Sequence, residues 1–212
     1  MGALHPPTAV VWLRNDLRLA DNPALAAAGA GGRRTVAVFI HETDPSLRPI
    51  GAAARWWLHQ SLEDLGRRLA GCGVPLVVET GPAQDVLRQL IKKQGAGFLY
   101  WNRRYDLAGR TLDQEIKAGG LADGIEVRSF NGSLLVEPFD ILTKQDTPYG
   151  VFTPFWKTLQ QRQIAAPIPA ISGQPPIAVP PEGFDVSYAA PGWARPLTER
   201  WSVGEAAAHC TA

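Results

Sequence analysis

Cysteine is scarce in this 212-residue chain: Cys72 and Cys210 are its only two, far apart, so neither a disulfide framework nor a CxxC metal site is expected. His5, His41, His59 and His209 show no HxxxH or HExxH spacing, which speaks against a zinc enzyme. A strong excess of either charge is missing too. Lys and Arg number 21 against 20 Asp and Glu, a formal net charge of +1, so no bulk positive field marks a nucleic-acid module. No apolar run has the length of a membrane span, and Met1–Val11 has neither a positive n-region nor a long apolar stretch. The expected location is the cytoplasm, with no membrane partner, and Asn131-Gly132-Ser133 then reads as a turn. The GxGxxG, GxxxxGK[ST] and GxSxG patterns are absent, which removes the phosphate-gripping glycines and the nucleophile elbow.

Hydrophobic residues make up 45 % of the chain and charged residues 19 %, enough for a real core. Thr8–Arg14 is a continuous apolar run ending in charge, as suits a central strand buried on both faces. Asn22-Pro23 reads as a helix cap and first turn before the Ala-rich Ala24–Ala30. Further strands are predicted at Thr35–Ile40, Val74–Val78, Gly97–Trp101 and Ile125–Phe130. Helices are predicted at Ala52–Ala70, from Pro82 through Ile91, and at Asp106–Lys117. The alternation predicts an α/β fold, a doubly wound five-stranded parallel sheet of Rossmann or flavodoxin-like type, over residues 1–164.

A C-terminal Pro-rich extension follows. Ala165–Thr198 holds eight of the eighteen prolines and reads as an extended connector over 165–200, without regular elements. Ser202 then reads as the cap of a helix opening at Val203, so 201–212 looks like the entry to a further domain in a shortened two-domain protein.

Trp12-Leu13-Arg14-Asn15-Asp16-Leu17-Arg18, with Asp21-Asn22-Pro23-Ala24-Leu25, is the most specific motif. On physical grounds it is an ion-paired loop, Arg14 and Arg18 against Asp16 and Asp21, ahead of a capped helix. The same residues resemble the DNA photolyase/cryptochrome family. The resemblance continues in order through Tyr100-Trp101-Asn102, Leu134–Pro138, Pro148–Lys157 and Trp201–Ala206, with Val203 where the family has Pro.

This resemblance implies an N-terminal α/β domain that holds a light-harvesting antenna chromophore. It also implies a C-terminal helical domain, beyond residue 212, that binds FAD and the damaged DNA strand with its dimer flipped out. The implied activity is that of a deoxyribodipyrimidine photolyase, with FAD and DNA not expected to bind this chain alone. The alternatives are a cryptochrome-type photoreceptor, with no enzymatic role, and a free-standing nucleotide-binding module.

The antenna residues implied are Ile40, His41, Arg55, Trp101, Asn102, Arg104, Asp106 and Gly109, at the carboxyl ends of strands and the start of the second long helix. Each has a plainer reading: Arg55 as a solvated helix residue, His41 as a strand-end polar group, Trp12, Trp56, Trp57 and Trp101 as core. Folate-binding members carry an Asn-Glu pair where this chain has Ala108-Gly109, so a deazaflavin or flavin-like ring is expected over methenyltetrahydrofolate. Arg104 departs from the acidic residue of deazaflavin-type members. In Phe152–Lys157, Thr153 reads as a cap and Pro154 as the first helical residue, with Phe155, Trp156 and Leu159 packing inward.

Overall fold

The computed structural model describes residues 6–45, 47, 49–119, 124–174 and 191–210. Five parallel strands lie in the order β3-β2-β1-β4-β5. They are β1 (Thr8–Leu13), β2 (Arg34–Glu42), β3 (Leu76–Gly81), β4 (Ala96–Asn102) and β5 (Glu126–Phe130). The apolar run of β1 occupies the centre, and all six of its residues are buried. Alternation sorts them to two faces. Ala9, Val11 and Leu13 join Leu25, Leu62, Leu65 and Leu69, whereas Val10 and Trp12 join Leu87, Leu90, Ile91 and Ile116. A parallel strand covered by helices on both sides has no polar face to spare, which is why its sequence is apolar throughout.

The covering helices are α1 (Pro23–Gly29) and α2 (Ala52–Gly71) on one face, and α3 (Ala83–Gln94) and α4 (Leu107–Ala118) on the other. Asn22 caps α1 by accepting from the Leu25 amide at 3.2 Å, and Asp106 caps α4 by accepting from the Gly109 amide at 2.8 Å. β3 begins two residues later than the sequence predicts. Pro75, lacking an N–H, cannot donate to the ladder, and its carbonyl accepts from Ala37 instead.

After β3 the chain crosses back and places β4 beside β1, so the loops after these two strands diverge at one switch point. The expected ion pairing within the first loop is not what forms there. Arg14 reaches Asp113 of α4 at 2.7 Å, both side chains nearly inaccessible, and Trp101 Nε1 donates to the other Asp113 oxygen at 2.8 Å. Arg18 donates instead to the carbonyls of Asp21 and Gly132. Asp16 accepts from the Arg14 amide and from Asn102. Charges beside a sheet end go to whichever partner shares their burial, and that partner is distant in sequence.

The helix near the Pro148–Lys157 motif, α5 (Phe152–Gln160), starts one residue before Thr153. Val151 stands at its cap position without a side-chain bond. Pro154 is still tolerated, because first-turn amides have no intrahelical acceptor. None of its residues is buried; Phe152 is 69 % and Trp156 44 % exposed.

The connector is less featureless than its prolines imply. Ile171 is buried in the core, Gln174 donates to the Cys72 carbonyl, and residues 192–194 and α6 (Arg195–Arg200) are helical. The expectation for 175–190 lies outside the described residues. A last helix, α7 (Glu205–Cys210), begins after Ser202 rather than on it, with Gly204 immediately before it.

Asp113→Ala strands the buried Arg14 charge and the Trp101 indole N–H. A loss of about 3–5 kcal/mol is expected by urea unfolding at unchanged m-value. Replacing Arg14 and Asp113 together by Met and Leu should recover much of that loss.

Candidate functional site

The carboxyl ends of β1, β2 and β3 and the first turns of α2 enclose a cleft of about 830 Å³. Its walls are apolar where the sheet and helix approach, through Phe39, Val78, Leu58 and Leu62, while Ile40 borders it with its side chain packed on the opposite face of the sheet. β2 supplies both a wall and a rim because it outlasts its apolar run: His41 and Glu42 remain paired to β3 while projecting past the core. From α2 come Arg55 and His59, and Arg104 reaches in from the loop after β4.

A smaller cavity of about 200 Å³ adjoins it, sharing Arg14, Asn15 and Arg104. Asn102, Tyr105 and Asp106 line this second cavity. Such a cleft, apolar inside with a few polar groups at its mouth, has the make-up of a small-molecule site. Among the described residues no three His, Cys, Asp or Glu side chains cluster as metal ligands.

Ile40, His41, Arg55 and Arg104 are therefore brought together in the larger cleft. Asn102 and Asp106 are not among them; they face the smaller cavity with Arg104. The Asn102 amide is committed to structure, donating to Asp16 at 2.6 Å and Asn22 at 2.8 Å and accepting from the Ala24 amide. Asp106 holds the α4 cap and pairs with Arg104 at 2.9 Å.

Trp101 lines neither cavity. Strand alternation turns its fully buried ring into the core, edge-on to Trp12 with centroids 5.9 Å apart. Gly109 lines neither and is needed for packing: a Cβ there would meet the Arg104 Cβ at 2.5 Å and Asp106 Oδ2 at 2.9 Å. Ala108 is absent from both linings too, so the expectation against folate, drawn from Ala108-Gly109, concerns a place outside the larger cleft.

The residue that sequence reading missed is Glu42. Its side chain is only 10 % exposed, its Oε1 lies 4.0 Å from Arg104 Nη1, and its Oε2 is buried without a hydrogen-bond partner. Burial pushes its carboxyl up, only partly opposed by Arg104 and Arg14. The signal was present as an acidic residue directly after Ile40-His41 at a strand end. Burial, then the neighbouring Arg55 and His59, lowers the His41 pKa and favours its neutral imidazole. Tyr105, part-buried and donating to Glu137 at 2.9 Å, is pushed up to about 12 and stays protonated.

Comparison with known proteins adds the following. The family model described as DNA photolyase matches residues 9–175. The deoxyribodipyrimidine photo-lyase of Agrobacterium fabrum is 39 % identical over 97 % of this chain, and Cryptochrome-2 of Arabidopsis thaliana 36 % identical over 70 %. The crystal structure of a bacterial class III photolyase from Agrobacterium tumefaciens superposes with a TM-score of 0.87 at 39 % identity, covering 99 % of this chain. The chain spans 44 % of the length of each of these photolyases and 24 % of that cryptochrome.

Because the folded environment disfavours ionised Glu42, its carboxylate weakens the fold above the ordinary Glu range and ceases to do so once protonated. Glu42→Gln should therefore be more stable than the parent at pH 8. The difference should shrink as pH falls through the raised Glu42 pKa and be gone near the ordinary Glu value of about 4.3, measured by urea midpoints across pH.

Proposed function

Since the chain belongs to the DNA photolyase family, which binds FAD and an antenna chromophore, we propose that it carries the antenna part of a light-dependent flavoprotein repairing pyrimidine dimers in DNA. In this reading residues 1–164 form the antenna domain, 165–200 the connector, and 201–212 the entry to the helical part. FAD and the damaged strand are engaged by that helical part. Photolyase is preferred over a cryptochrome because similarity to the Agrobacterium photo-lyase runs over nearly the whole chain and that to Cryptochrome-2 over 70 %.

The observation that carries the antenna reading is the buried, unpartnered Glu42 Oε2 within an apolar cleft. A buried acceptor without a donor is costly, and a ring N–H supplies one. Deazaflavins, flavins and pterins all carry such an N–H edge, so this chemistry admits each of them. The planar body fits against Phe39, Val78, Leu58 and Leu62, and Arg55 favours an anionic tail. The chromophore would supply light absorption and energy transfer; the protein's part is to bind it, orient it and exclude water.

The test is fluorescence titration of the 212-residue chain with a deazaflavin, FMN and methenyltetrahydrofolate in separate arms. Saturable binding is expected in at least one arm, and the arm that binds most tightly identifies the chromophore class. Arg55→Ala and Glu42→Gln should each weaken that binding about ten-fold or more. Absence of binding in every arm, or binding indifferent to both substitutions, would overturn the reading.

A further inference from the structure

The loop after β1 does more than border the cleft. Its Leu19 amide donates to Glu205 Oε2 at 2.8 Å, and the next amide, of Ala20, donates to Glu205 Oε1 at 3.0 Å. Arg68 of α2 pairs with the same carboxylate at 2.7 Å, and the Glu205 side chain is 7 % exposed. Two successive amides plus a guanidinium satisfy a carboxylate in the manner of an anion nest. Burial alone would raise the Glu205 carboxyl, but these donors outweigh it and keep it ionised.

Elsewhere in this segment the packing is light, with Trp193 edge-on to Trp56 at 6.4 Å. Among the described residues 191–208 only Ala194 is buried; Trp193 and Trp201 are 46 % and 62 % exposed. Gly204, at φ +102°, permits the approach. A Cβ there would lie 2.4 Å from Asp64 Oδ2 and push the carboxylate away.

The start of the connector is fixed to the same loop. The Asp21 amide donates to the Ile168 carbonyl at 2.7 Å, and the Asp21 side chain accepts from the Ile168 amide at 3.2 Å. Asp21 itself adopts φ +50° to do this. The connector thus leaves and returns to adjacent residues of one loop.

We propose that the β1–α1 loop and Arg68 form a carboxylate socket, and that Glu205 is its releasable latch, fixing where the chain after the connector sits relative to the sheet. When the latch is seated, α7 is held beside the loop whose first residues, Arg14 and Asn15, border the cleft. When it is released, α6 and α7, none of whose residues from 195 to 200 or 205 to 208 is buried, lose this polar tie to the loop. The proposal is independent of what the cleft binds.

Amide hydrogen exchange on the full 212-residue chain tests it. Glu205→Gln and Arg68→Met should each speed exchange at Leu19 and Ala20 about ten-fold or more. Val11 in β1 should be unaffected. Tryptic cleavage after Arg200 should accelerate in parallel. Unchanged exchange at Leu19 and Ala20 in both variants, or amides already unprotected in the parent chain, would overturn the proposal. Loss of Val11 protection in both would overturn it as well, because Glu205 would then be part of the fold rather than a latch.

Discussion

Arg14 follows the central strand with a charge almost wholly shielded from water, and the carboxyl edge of the sheet is arranged around its neutralisation. The guanidinium lies over the Trp12 ring, 4.4 Å from the centroid, and pairs with Asp113 from a helix 99 residues further along. A buried ion pair repays its desolvation best when its remaining polar atoms are satisfied; the Trp101 indole takes the second Asp113 oxygen, while Arg14 Nε has no hydrogen-bond partner. Asn102 then ties the two diverging loops together by bonding Asp16, Asn22 and the first turn of α1. Gly132 must be a glycine for this to close, since a Cβ would sit 2.5 Å from Asn102 Cγ. The switch point is held by a connected polar network, whose members would each be costly alone.

With Arg14 and Asn102 occupied in this way, the charges left for the cleft are those of the neighbouring loop and α2. Arg104 is shared between Asp106 and the more distant Glu42, which leaves one Glu42 oxygen unpartnered in an apolar surround. Burial, then Arg55, favours the neutral His41 imidazole, and Arg55 and Arg104 bring cationic charge to the rim. The result is an electrostatically uneven slot, with an unpartnered acceptor and two arginines at its edge.

Away from this edge the chain leaves apolar surface uncovered. Leu135, Phe139, Val151 and Phe152 are each more than 60 % exposed, and the Phe152 and Trp156 rings stack with centroids 6.0 Å apart. This surface differs from the Glu205 contact in kind: that contact is polar, directional and made by one side chain.

Much of the architecture was legible because it depends on local periodicity. The apolar run of β1, the Leu stripe of α2 and the Asn22 cap each act within a few residues, and the five strands and their parallel order of alternation follow from them. The site was legible only in part. Ile40, His41, Arg55 and Arg104 meet in one cleft because strand ends and helix starts converge in this architecture. Trp101 was misplaced because strand alternation decides which way a side chain turns, and composition at a strand end does not. Arg14–Asp113, the unpartnered Glu42 oxygen and the Glu205 socket were invisible. Each is a pairing, or a failure of pairing, between residues far apart in the chain, and only burial in the folded molecule determines which charges must find one another.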